Sequence, residues 1–218
     1  LNDILLLDDK FQISTTKVPN WGLSSAHIWI KIQVQDTSKH LEKWYLNLDY
    51  STLRTANLYY QDSSNNWQVI ESGNRIPFDK RKVRSRNFIF PLQLSTNERH
   101  TFYLNLSNAG PIQAPLFIQK MSSIYSEQMK MEMYYGILTG IFILIIVGNF
   151  FLWINLKDPA YFFYIIYTLG SVLTLLYISG HATQYVLSAY PKLSGTAIGV
   201  FISLIIIGLP LFSKNFLH

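Results

Sequence analysis

The sequence predicts an antiparallel β-sandwich followed by membrane-spanning α-helices, and three observations carry that expectation. Between Glu132 and Lys157 stand 24 uncharged residues, mostly Ile, Leu, Phe, Val and Gly. A hydrocarbon core about 30 Å thick needs ~20 apolar residues at ~1.5 Å rise each, so this run is long enough to span. Charge is divided to match: residues 1–130 hold 15 Lys or Arg and 11 Asp or Glu, residues 131–218 only three and two. Ahead of the run, apolar residues alternate with period two between polar turns, the pattern of half-buried strands.

The opening LNDILLLDDKFQIS reads as a short strand or a turn of helix, and NWGLSS (20–25) as a loop carrying Trp21. In HIWIKIQVQ, Ile28, Ile30, Ile32 and Val34 take one face and Trp29, Lys31 and Gln33 the other. WYLNLDY (44–50) points Trp44, Leu46, Leu48 and Tyr50 inward, with Tyr45, Asn47 and Asp49 outward. ANLYYQ (56–61) is a third strand, DSSNN (62–66) a hairpin turn, and WQVIES (67–72) a fourth. A basic loop then runs into NFIFPLQL, where Phe88, Phe90, Leu92 and Leu94 share a face. Pro91 cannot donate to a ladder, so this strand belongs at an edge or carries a bulge. RHTFYLNLS turns Phe102, Leu104 and Leu106 inward, and APLFIQK (114–120) closes the series. Seven or so short strands at this spacing indicate a sandwich.

The period changes at SSIYSEQMKMEMYYG (122–136), which lacks Gly or Pro between Ser122 and Tyr135 and predicts a helix running into the first span. The expected organisation is an extracytoplasmic domain over 1–121, a helical connector over 122–133 and a membrane domain over 134–218. Its spans are expected near 134–156, 161–179 and 196–213, separated by the turn KDPA (157–160) and a loop over 180–194. Tyr161, Tyr164, Tyr177 and Tyr190 edge the spans as interfacial aromatics do. With the sandwich outside, KDPA falls inside. Gly136, Gly140 and Gly148 are expected to let helices approach, and Asn149, Asn155, Thr168, Ser171 and Thr174 to bond between them. Without a charged residue in a span, an ion or proton path is not expected.

About 130 residues suffice for one core. The absence of cysteine excludes disulfides, Cys-ligated zinc and thiol catalysis, while leaving the compartment open. The first residue is Leu1 and the last spanning run stops near His218, so truncation at both ends, or removal of a signal peptide, is expected. Histidines 27, 40, 100, 181 and 218 lack metal-ligand spacing, and Asp8–Asp9 reads as a solvated turn. There is no nucleophile elbow, phosphate loop or HExxH, so neither catalysis nor a cofactor is expected in these residues.

The order of AHIWIKIQV, SRNFIFPLQL and FYLNLSNAGPIQAPLFI, then YYGILTG, NFFLWINLKDPAYFFYIIY, GHATQYV and FSKNFLH, resembles a bacterial family. That family is the seven-transmembrane receptors with diverse intracellular signalling modules. The resemblance implies a jelly-roll ectodomain similar to carbohydrate-binding modules, seven spans in all, and a cytoplasmic output such as a diguanylate cyclase or histidine kinase. Three spans are present here, and no output module.

Two constellations are candidates for binding. Trp29, Tyr45 and Tyr59 fall outward by alternation with Trp67 close by, and flat rings stack on sugar faces. The plain alternative is an outer face covered by the N-terminal segment or by the membrane domain. Lys80, Arg81, Lys82, Arg84 and Arg86 crowd seven residues, where guanidinium forks suit an anion or lipid headgroups. The plain alternative is a solvated loop, with Arg86 and Asn87 the most structural of the group. The candidate ligand residues are therefore Trp29, Tyr45, Tyr59, Trp67, Arg81, Arg84 and Arg86. Expected partners are membrane lipid and a small extracellular ligand, sugar or anion; a homodimer stays open, and the local, modest basicity argues against nucleic acid. The expected function is sensory input to a membrane receptor in the bacterial cell membrane. A membrane-anchored scaffold for a periplasmic protein is the alternative, and a transporter fragment a third reading.

Overall fold

The computed structural model describes residues 2–38, 42–188 and 190–217. His40 and His218, weighed above as metal ligands, lie outside them. The chain forms two compact units, Leu1–Met121 and Ser122–His218.

The first unit is antiparallel β throughout its named strands. Its strands are β1 (Asn20–Leu23), β2 (Ile28–Gln35), β3 (Trp44–Leu48), β4 (Thr55–Gln61), β5 (Trp67–Ser72), β6 (Phe88–Leu92), β7 (Arg99–Ser107), β8 (Pro111–Gln113) and β9 (Leu116–Lys120). One sheet has the order β2-β7-β4-β5, a second β6-β3-β9, and β1 pairs with β8 in a separate ribbon. β6 is an edge strand, which is where Pro91 can sit without breaking a ladder. The opening segment is helical, a four-residue α1 (Asn2–Leu5) and a 3-10 turn at Asp8–Lys10.

One core lies between the two sheets. Leu46, Leu48, Leu58, Phe88, Phe90, Leu104 and Leu106 are fully buried, and Ile28, Ile30, Ile32, Val34, Trp44 and Tyr50 pack against them. Each large side chain of this set is worth about 1.5–3 kcal/mol of transfer free energy. Turns follow their chemistry. Asp62 accepts from the amides of Ser64 and Asn66, both at 2.9 Å, while Asn65 takes the left-handed φ of 60°. Gly73, at φ 129°, passes so close to Arg54 that an added Cβ would lie 2.4 Å from its carbonyl oxygen.

In the second unit, α2 runs unbroken for 36 residues, Met121–Leu156. Lys157 ends it in the left-handed region at φ 54°, and Asp158 caps α3 (Pro159–Ile178) by accepting from the Ala160 amide at 2.8 Å. A π-helical turn occupies Ala182–Val186, inside the stretch expected to be loop, and α4 runs Pro191–Phe216 through Pro210. Three helices, Met121–Leu156, Pro159–Ile178 and Gly195–Phe216, are long and apolar enough to cross a membrane.

Two expectations about these spans need correction. Asn149, Asn155, Thr168, Ser171 and Thr174 do not bond between helices; each donates to its own helix, to the carbonyl four residues back, at 2.8–2.9 Å. A short polar side chain in a helix finds that carbonyl before it finds a neighbour. The close-packing glycines are also different ones. Added Cβ atoms at Gly136, Gly140 and Gly148 meet nothing within 4 Å. At Gly170 one would lie 2.8 Å from Leu204 Cβ, and at Gly208 one would lie 2.6 Å from the Tyr167 backbone nitrogen. The intimate pair is α3 with α4.

Candidate functional site

The outward face of the four-stranded sheet gathers three of the seven candidates. Register sets Trp29 beside Asn105 and Tyr59 beside Tyr103 and Val69, with Trp67 opposite Gln61. Trp29 and Tyr59 lie ring to ring at 5.4 Å, and Trp67 meets Tyr103 edge-on at 5.8 Å. All three candidates are half-buried, because the N-terminal segment lies on this face. Phe11 sits 5.9 Å from the Tyr103 ring. Asp8 accepts from Lys31 Nζ at 2.6 Å and from the Tyr103 hydroxyl at 2.8 Å. The Lys31 bond, then the Tyr103 bond, hold the Asp8 carboxyl below its ordinary value, while burial and the Asp8 charge push the Tyr103 hydroxyl up to about 12. Part of the aromatic platform is thus spoken for by the chain itself.

Tyr45 is not with them. It pairs with Pro91 and Gln119 on the three-stranded sheet, facing out on the other side of the sandwich. Trp21 lies on β1, in the separate ribbon, and is exposed.

The basic loop divides into unlike parts. Arg81 is buried, not solvated. Its Nη1 donates to the Ser85 carbonyl at 3.0 Å, and its Nη2 to the Gly73 carbonyl and to Asn74 Oδ1, both at 3.3 Å. The Phe78 and Phe88 rings flank the guanidinium at 5.2 and 4.9 Å. Desolvation pulls it down to about 10, so it is charged at neutral pH. Arg84 is exposed and Arg86 half-buried. Asn87 is structural: it donates to Asp49 Oδ1 at 2.7 Å and to Asn47 Oδ1 at 3.4 Å, beneath the strand ends.

Two places escaped the sequence. The first is a cavity of about 300 Å³ at one end of the sandwich, with walls that include Val34, Asp36, Ser38, Trp44, Leu94 and Ile118. Asp36 accepts from the Ser38 amide at 2.9 Å and from Trp44 Nε1 at 3.3 Å. Its carboxyl is held below the ordinary range by the Ser38 hydroxyl and amide first, and by the Trp44 indole after them. The D-x-S spacing of an Asx turn is visible in sequence, but a cavity beside it is not.

The second place is centred on His181. Its Nε2 lies 2.8 Å from Glu132 Oε2 and its Nδ1 2.7 Å from Ser179 Oγ. The Tyr135 and Tyr185 rings flank the imidazole at 5.1 and 6.3 Å. Ser179 Oγ also reaches the Leu176 carbonyl at 3.1 Å, a bond in which the hydroxyl must donate. With that proton used, Nδ1–H donates to Ser179 Oγ, and Nε2 faces the Glu132 carboxylate. The cluster joins Glu132, about three turns into the first bilayer-length helix, to the turn behind the second.

Among the described residues no group of three or more His, Cys, Asp or Glu could hold a metal. Residues 1–120 match the family model described as 7TMR-DISM extracellular 2, and residues 131–218 the model described as 7TM diverse intracellular signalling. Neither describes a catalytic domain. No curated protein matches the chain. With its β-domain inside the first match and three bilayer-length helices behind it, the chain belongs to the 7TMR-DISM family, as a membrane protein whose N-terminal sensory domain is extracellular.

Proposed function

We propose that this chain is the ligand-sensing input of a bacterial receptor in the cell membrane. The sandwich binds a small extracellular ligand, and the helices carry the change towards a cytoplasmic output module such as a diguanylate cyclase or histidine kinase. No catalysis resides in the chain itself. A jelly-roll, carbohydrate-module-like ancestry fits this reading, and sugars belong among the ligands to be tried. The observation that carries it is the unbroken helix α2, which begins at Met121 directly after β9 ends at Lys120. Its 36 residues make ~54 Å at ~1.5 Å each, well beyond a hydrocarbon core of about 30 Å. A helix that leaves a strand without a linker passes on strain that a flexible tether would absorb. The cluster at His181 then gives the first span a partner whose geometry can change with it.

The test uses the absence of native cysteine. Spin labels at Met133→Cys and Val186→Cys, both exposed positions, flank the cluster. The whole chain in lipid nanodiscs is screened for thermal stabilisation by sugars, small anions and small amines. A stabilising ligand should shift the inter-label distance. A ligand that stabilises the sandwich and leaves that distance unmoved overturns the reading.

A further inference from the structure

The cavity at the end of the sandwich encloses a charge that its neighbours orient without cancelling. Asp36 is 7% exposed, and its donors are the Ser38 amide and hydroxyl and the Trp44 indole N–H, all neutral. The ion pairs Lys31–Asp8, His100–Glu98, Lys120–Glu42 and His181–Glu132 do not include Asp36. Its neighbours keep the carboxylate ionised through neutral donors alone, so its charge is still available to a cation that enters the cavity.

The remaining walls mix apolar surface, from Val34, Leu94, Ile118 and the ring of Trp44, with the neutral polar side chains of Gln35, Thr37 and Ser38. A hydrated metal ion gains nothing from hydrocarbon, and a neutral sugar leaves the carboxylate uncompensated. An anion is repelled. An organic ammonium uses both kinds of wall, its charge on the carboxylate and the neutral polar groups beside it, its carbon skeleton on the aliphatic and aromatic surfaces. The Lys120 ammonium stands 5.7 Å from the Trp44 ring centroid, and its charge is offset by Glu42, whose Oε2 lies 2.6 Å from Nζ.

We infer that this cavity binds a small organic cation, its ammonium paired with Asp36 and its hydrocarbon part against Trp44, Val34 and Ile118. This names the ligand class of the proposed sensor and rests on that reading for the claim that binding is sensed. Ile118 lies on β9, the strand that α2 follows, so the occupied cavity presses on the element that leads into the membrane.

The experiment is a calorimetric titration of the whole chain in nanodiscs of zwitterionic phosphatidylcholine, which keeps amines off the lipid. The probes are phenethylammonium and 2-phenylethanol, matched in size and differing in charge. Phenethylammonium should bind at one site, at least about tenfold more tightly than the alcohol. Asp36→Asn should bring the two to parity. Val34→Phe, which fills the cavity and leaves the Asp36 hydrogen bonds in place, should abolish binding of both, with the thermal midpoint reporting that each variant is folded. Equal affinities in the unaltered chain, or a cation preference that survives Asp36→Asn, overturn the inference. The spin-label distance is read in the same samples. Phenethylammonium bound at Asp36 with no distance change leaves the inference standing and removes the sensory reading. A distance change with another screened ligand, while phenethylammonium does not bind, does the reverse.

Discussion

The Arg81 guanidinium donates to two backbone carbonyls and to Asn74 while lying between two phenylalanine rings. Its removal leaves those acceptors buried with nothing to bond, which costs about 2–3 kcal/mol in total. Arg81→Ala should therefore lower the unfolding free energy of the sandwich, obtained from urea titrations followed by tryptophan fluorescence, by that amount. Arg81→Lys should recover little of it, because an ammonium cannot span the three acceptors. Exposed Lys82→Ala and Arg84→Ala should stay within about 0.5 kcal/mol of the parent. The same loop thus contains a core residue and solvated ones, distinguished only by where they point. Asp8 makes a complementary case through pH. Its carboxyl is held low by Lys31 and then Tyr103, so its stabilisation is fully present above the ordinary value of 3.8 and is lost as pH falls below it. Tyr103 works at the other end: raised from 10.0 to about 12, it contributes below pH 10.0 and loses its contribution as pH rises through about 12. Asp8→Asn should melt below the parent at pH 7, and the gap should close below pH 3.8. A gap that persists there would mean that the carboxylate does not hold the N-terminal segment down.

Among the elements, the strands were the legible part. Period two sorted Ile28, Ile30 and Ile32, which pack on the core, from Trp29 and Lys31, while on β6 Ile89 is buried along with Phe88 and Phe90 and only the alternation of faces was legible. Period two does not say which sheet a strand joins. Trp29 and Tyr45 look equivalent in sequence and lie on opposite sides of the sandwich, since β3 pairs with β6 and β9 while β2 pairs with β7. The cavity was illegible for a related reason: Asp36, Leu94 and Ile118 come from three separate stretches, and only the closing of the sandwich brings them together. Helices were legible as spans, not as contacts. A GxxxG pair such as Gly136 and Gly140 is a pattern any helix can carry, whereas Gly170 and Gly208 are fixed by what stands opposite. Gly208→Ala drives a methyl against the Tyr167 backbone and should destabilise the α3–α4 pair by about 1–3 kcal/mol. Gly136→Ala, in open space, should be neutral or stabilising by up to about 1 kcal/mol through helix propensity. Unfolding in mixed detergent micelles, followed by circular dichroism, separates the two. Equal losses would mean that α2 packs on something through Gly136.

Within the membrane unit as a whole, α2 meets α3 at its two ends by different chemistry. Trp153 lies 5.1 Å from Phe162 at the turn between them, an aromatic contact that tolerates sliding. At the extracellular end the chain of bonds Glu132–His181–Ser179 is directional, and each member fixes the next. Glu132 is partly exposed, so its pairing with His181 is moderate in strength and open to change. A double-mutant cycle isolates that joint. Glu132→Gln and His181→Asn each weaken it, and the pair together should cost less than the sum of the singles by about 0.5–3 kcal/mol. The same substitutions should broaden the distance distribution between labels at Met133 and Val186, because Glu132, about three turns into α2, loses its fixed partner behind α3. Additive energies with an unchanged distribution would show that hydrophobic contact alone holds the helices. The ligand-driven motion would then have to leave the sandwich along α2 without using His181.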